Sequence, residues 1–177
     1  MTFDSPASTL FPDKLSLEIP LSSQTRELPS FSTSGANWQA RLNQMCLDAF
    51  LPWLREEQVQ SARVWTSQAA LPSFWEFVNG TAIACEGIRL VLIPTTAIDL
   101  EELRVPQEWL DIPTWVADYY VAVQVNPNGG WVTICGYTTH RQLKTKGVYD
   151  AGDRTYCLDE NDLIQDINVL WIARELC

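Results

Sequence analysis

A single histidine, His140, and no C-x-x-C pair leave this chain without the ligand spacing that zinc sites use. Neither a metal centre nor a cofactor is expected. Only eight glycines occur among 177 residues, and no glycine-rich phosphate loop, D-x-D or H-x-x-x-H pattern is present. Cations are scarce: 12 Lys and Arg stand against 22 Asp and Glu, for a formal net charge of −10. That balance opposes general binding to DNA, RNA or anionic lipid, since holding phosphate requires clustered cations. No run approaches the roughly 18 apolar residues of a membrane span. The start of the chain has neither a basic n-region nor an apolar h-region, so a cytoplasmic protein is expected. The five cysteines are odd in number, widely spaced and set mostly among apolar neighbours, as suits reduced thiols.

What is abundant is apolar and aromatic. Hydrophobic residues make up 46% of the chain and eight are Trp, enough for a substantial core with the tryptophans as its large plugs. The organising stretch is Asp118 to His140. Its arms, Tyr119 to Asn126 and Trp131 to Thr138, are rich in residues suited to a pleated surface, and Pro127-Asn128-Gly129-Gly130 between them forces a reversal. A β-hairpin is predicted. Tyr119, Val121, Val123 and Val125 share one face; Tyr120, Ala122, Gln124 and Asn126 share the other, which becomes wetter toward the turn.

Residues 1–35 read as a Ser, Thr and Pro-rich tail with one edge strand near Leu15 to Ile19, and residues 36–177 as a single domain. Helical spacing from Ala36 to about Gln58 predicts a helix that Ser34 caps and Pro52 kinks or restarts. The segment around Trp65 fits a short helix or a covering loop. Phe74 to Ile93 reads as a meander turning at Asn79-Gly80 and Glu86-Gly87. At the other end, Asp159 predicts the start of a terminal helix with Leu163, Ile164, Ile167, Leu170 and Trp171 on its apolar stripe.

Between Pro94 and Pro113 lies an acidic segment, long for a connection, that carries Trp109 and Trp115 in two similar Pro/Trp phrases. Two readings stay open. In one, each Pro starts a turn and each Trp plugs the core. In the other, Trp109 and Trp115, ringed by Glu108 and Asp111, form an exposed surface that binds a partner protein. After the hairpin come Arg141, Lys144, Lys146 and Arg154, the one basic stretch, expected to pair with the acidic segments. His140, Arg141 and Lys144 are the candidates for an anion site, or for a pocket completed by Asp118 or Asp153. Cys135 and His140, five residues apart on one strand, would need a bulge to meet, so no nucleophilic site is predicted.

The segments LNQMCLDAFLPWL (42–54), RVPQEWLDIPTWVADYYVAVQVN (104–126), GYTTHRQLKTKGVYDAGDRTYCL (136–158) and DLIQDINVLW (162–171) together resemble the uncharacterised family named domain of unknown function 1822. The resemblance implies a cyanobacterial, cytoplasmic protein with a transcription or signalling regulator as its partner. It supplies no catalytic residues. From the residues themselves the expected fold is α+β: a bent antiparallel sheet, which an SH3-like barrel would close, with an N-terminal and a C-terminal helix packed on it. The expected function is a non-catalytic protein-interaction or regulatory module. The alternative is a small-molecule or enzymatic pocket at the mouth of the sheet near His140.

Overall fold

The computed structural model describes residues 17–21, 35–56, 63–64, 78–85 and 87–167. Helix α1 (Gly35–Glu56) runs unbroken through Pro52. The exposed position of Pro52 near the last turn lets its ring lie away from the core. Leu42, Met45, Cys46, Ala49, Phe50 and Leu54 recur every three or four residues and are all buried. Burial pushes the Cys46 thiol well above its ordinary range, as befits an inert core cysteine.

The helix covers one face of a six-stranded sheet. In chain order its strands are β1 (Leu17–Pro20), β2 (Arg63–Val64), β3 (Thr81–Cys85), β4 (Ile88–Thr95), β6 (Tyr119–Asn126) and β7 (Trp131–Thr139), and in space they run β1-β7-β6-β4-β3-β2. A second, three-stranded sheet, β5 (Glu102–Pro106), β8 (Val148–Asp150) and β9 (Thr155–Asp159), has the order β5-β9-β8. It lies against the opposite face with helices α2 (Glu108–Asp111) and α3 (His140–Lys146).

The hairpin alternation sorts the two cores. Val121, Val123 and Val125 pack with α1, while Tyr120 and Ala122 pack with Leu103, Trp109, Leu143 and Leu158 of the second layer. The α+β architecture is therefore the one the patterns predict, with β1 as the edge strand that Pro20 favours. The large sheet curls into a half-barrel, and among the described residues it ends at β1 and β2 without closing.

Three features depart from the expectations. First, the sheet is not antiparallel throughout, because β4 and β6 pair in parallel. Parallel neighbours need a long crossover. The acidic segment after Pro94 provides it, carrying β5 and α2 over the second face on its way. Second, Trp109 is fully buried and Trp115 nearly so, their rings 5.2 Å apart. Of the two readings of the Pro/Trp segment, the one in which each Trp plugs the core therefore holds, and the exposed aromatic surface is corrected. Third, Asp159 does cap, its side chain accepting from the Asn161 N–H, but it starts only a single 3-10 turn, Glu160–Asp162. Leu163 is already extended, and Ile164 pairs with Tyr137 through backbone hydrogen bonds of 2.8 and 3.0 Å. The rest of the expected terminal helix, from residue 168, lies outside the described residues, as do the Ser34 cap, Trp65 and the start of the meander.

Candidate functional site

The charged residues singled out from the sequence meet on the second layer. Thr139 accepts from the Gln142 N–H and so starts α3, which places His140 and Lys144 one turn apart. Lys144 Nζ lies 2.6 Å from Asp111 Oδ1 and donates to Tyr156 Oη at 2.8 Å, above a ring whose centroid is 4.3 Å away. This ammonium is already neutralised, which leaves it little capacity for an external anion. The expected pairing of the basic stretch with acidic segments is seen again at Lys146–Asp162, 2.6 Å, and Arg154–Glu108, 3.3 Å. Arg141 is exposed, and among the described residues no carboxylate pairs with it.

His140 Nδ1 sits 3.2 Å from Tyr120 Oη. The phenol donates its one proton to Trp109 O at 2.8 Å and accepts from the Ala117 N–H at 3.3 Å, so Nδ1 must bring the proton to their contact. Burial pushes the Tyr120 phenol up to about 12, keeping it a donor. For His140, burial and then the Lys144 ammonium hold the imidazole below its ordinary range, with Asp111 opposing them. A lowered folded value means that the unfolded chain binds more protons near pH 6, so stability present above the unfolded value is lost as pH falls through it. The melting temperature should therefore fall slightly as pH drops below about 6.5. In His140→Asn, whose amide can still donate to Tyr120, that component should disappear. Identical profiles for the two chains would refute the assignment.

The two carboxylates expected to complete a pocket do not close on the imidazole. Asp118 meets α3 through its carbonyl, which accepts from the His140 N–H at 3.4 Å, while its carboxylate accepts from the Arg89 N–H at 2.8 Å. Asp153 pairs with Arg104 at 2.8 Å. Cys135 is the extra residue of a bulge, since Ala122 pairs with Gly136 and Val123 with Ile134. Its thiol contacts Thr133 O at 3.7 Å. The cluster around His140 is best described as a polar brace between α2, α3 and β9.

Open space lies elsewhere, on the wet end of the same hairpin face. Two grooves, of about 490 Å³ and about 270 Å³, share Ile98, Gln124 and Trp131. The larger adds Trp38 and Pro127; the smaller adds Glu18, Asp99, Thr133, Cys135 and Glu160. Ile98 is 88% exposed. Its loop is nevertheless fixed, because Gln124 Nε2 donates to Ala97 O at 2.7 Å and Ile98 O at 2.6 Å. The facing turn is fixed by Gly129 N and Gly130 N, which bond Asn126 Oδ1 at 2.6 Å and Asn126 O at 2.9 Å. The cleft thus has an apolar edge held between a loop and a turn that are each fixed by hydrogen bonds. The sequence shows the polar drift toward Gln124 and Asn126 but does not mark Ile98, Trp131 and Trp38 as lining a common groove.

Among the described residues, no three His, Cys, Asp or Glu side chains gather as a metal-holding set, and no helix is long and apolar enough to cross a membrane. No curated protein and no solved structure matches the chain. A family model described as a protein of unknown function, DUF1822, matches residues 17–177, which takes in both sheets, the hairpin and the groove. The chain belongs to the DUF1822 family.

Proposed function

We propose that this chain is a non-catalytic, cytoplasmic protein-interaction module that docks an extended segment of a regulatory partner in the groove beside the β6–β7 turn. The observation that carries the reading is Ile98, an aliphatic side chain 88% exposed on a loop that two hydrogen bonds from Gln124 hold in place. Exposed apolar anchors on a fixed scaffold, beside aromatic neighbours such as Trp131 and Trp38, are the kind of group that carries binding energy at interfaces.

Ile98→Asn should leave the melting temperature within about 2 °C of the wild type, because a surface change of this kind costs no more than about 0.5 kcal/mol. The reading is tested by photo-crosslinking in the producing cells, with benzoylphenylalanine in place of Ile98 and, in a control chain, in place of Val148, which is 71% exposed on β8. A discrete product specific to position 98 is expected. The same pattern from both positions would dismiss the groove as the docking surface.

A further inference from the structure

The groove differs from end to end, and this difference specifies what fits it. Around Trp38, Pro127 and Trp131 its lining carries no charged side chain among the described residues. Beyond the shared Ile98, Gln124 and Trp131, the lining carries the exposed carboxylates Glu18 and Asp99 and, among the described residues, no cation. The two ends are spanned along β7 by Trp131 and Cys135, four residues apart. At about 3.3 Å per residue that is roughly 13 Å, the length that four residues of an extended occupant cover. In the shared middle, both hydrogens of Gln124 Nε2 go to Ala97 O and Ile98 O, which leaves the amide oxygen as an acceptor for an N–H of the occupant.

Resting on the docking reading above, we infer that the groove selects a cationic-apolar segment: an aromatic or large aliphatic residue for the Trp38/Trp131 end and, three or four residues away, a Lys or Arg for the end lined by Glu18 and Asp99. The field of a chain with net charge −10 acts in the same direction. It draws cationic segments toward the cleft and repels acidic ones, a second copy of this chain included.

The test is selection of a random heptapeptide phage library on the full chain and, in parallel, on Ile98→Asn and on the double variant Glu18→Gln/Asp99→Asn, each checked for native circular dichroism. Wild type should enrich peptides pairing an apolar residue with Lys or Arg at that spacing. The best of them, synthesised, should bind Ile98→Asn about tenfold more weakly, and should bind the acid-depleted variant about three- to tenfold more weakly. Peptides enriched without a cation at that spacing, or binding that the double variant leaves unchanged, would overturn the charge selection while sparing the groove. No enrichment beyond that on Ile98→Asn would overturn docking itself. A dimer that Ile98→Asn dissolves would assign the groove to a second copy.

Discussion

Trp109→Ala is expected to lower stability by about 3–5 kcal/mol, the range for emptying a buried aromatic site, and to lower the melting temperature by about 6–20 °C. Two effects add. The indole is fully buried between the main sheet and the second layer, against Trp115, so its removal leaves a cavity that the strands around it cannot fill. Its Nε1–H also donates to Asn79 O at 2.8 Å. Asn79 is the residue through which the 78–80 turn reaches both layers: its side chain accepts from Gln39 of α1 and donates to Pro94 O at 3.3 Å. Removing the donor loosens that junction from above while Gln39 still holds it from below. Trp109→Phe, which restores most of the ring but not the N–H, should recover more than half of the loss. Equilibrium urea unfolding separates the outcomes, and a change below about 1 kcal/mol for the alanine variant would mean that Trp109 is not the plug described.

Gly80→Ala should cost about 3 kcal/mol, one methyl group doing nearly the damage of a lost tryptophan. Gly80 has φ +115°, outside the comfortable range of L side chains. A Cβ there would stand 2.8 Å from both Ile93 Cδ1 and Trp109 Nε1, and 3.3 Å from Leu92 O. The first two contacts involve groups wedged in the core, and displacing the indole would break its hydrogen bond to Asn79. Gly80 N also donates to Asn43 Oδ1 at 3.1 Å, so the backbone cannot retreat without releasing α1. Gly87 is the control. Its φ is +86°, yet nothing lies within 4 Å of an added Cβ, so Gly87→Ala should cost only the backbone strain, about 1 kcal/mol. Equal losses at the two positions would show that conformation alone, and not packing against Trp109, makes Gly80 necessary.

Much of the fold is legible in the chain wherever one local period decides the outcome. Helix α1 follows from Leu42, Met45, Ala49 and Leu54, and the two-faced hairpin follows from the strict alternation between Tyr119 and Asn126. Local period cannot supply the neighbour of a strand. Nothing in Ile88 to Thr95 reveals that it pairs in parallel with β6, and without that pairing the acidic segment looks like a loop when it is a crossover. Within it, Leu103 in, Arg104 out, Val105 in is a strand pattern. The flanking charges of Glu101, Glu102 and Arg104 obscure it. Helix α3 is seven residues long with one buried side chain, Leu143, too little periodicity to register. The terminal stripe misleads for a related reason: Leu163 and Ile164 are apolar because they cover the bulge at Gly136, where an added Cβ would lie 3.0 Å from Leu163 Cβ, not because they begin a helix.

The site is legible in part. The sequence brings out Lys144 and Asp111 as charged candidates, and they do meet, but only the structure shows that they satisfy each other. Ile98 stands alone between Ala97 and Asp99, with no pattern to mark it, because the groove is assembled from β6, β7, the start of α1 and the 96–100 loop. Convergence of four segments leaves no signature in any one of them.

The most direct test of groove docking is a titration of the isotope-labelled chain with the best selected heptapeptide, followed through the indole N–H signals. Trp38 and Trp131 line the cleft, whereas Trp109 and Trp115 lie buried away from it, so the four signals report on the two alternatives separately. Docking in the groove predicts that the signals of Trp38 and Trp131 shift saturably and that those of Trp109 and Trp115 stay fixed. Saturable shifts at Trp109 and Trp115, with Trp38 and Trp131 unmoved, would contradict it.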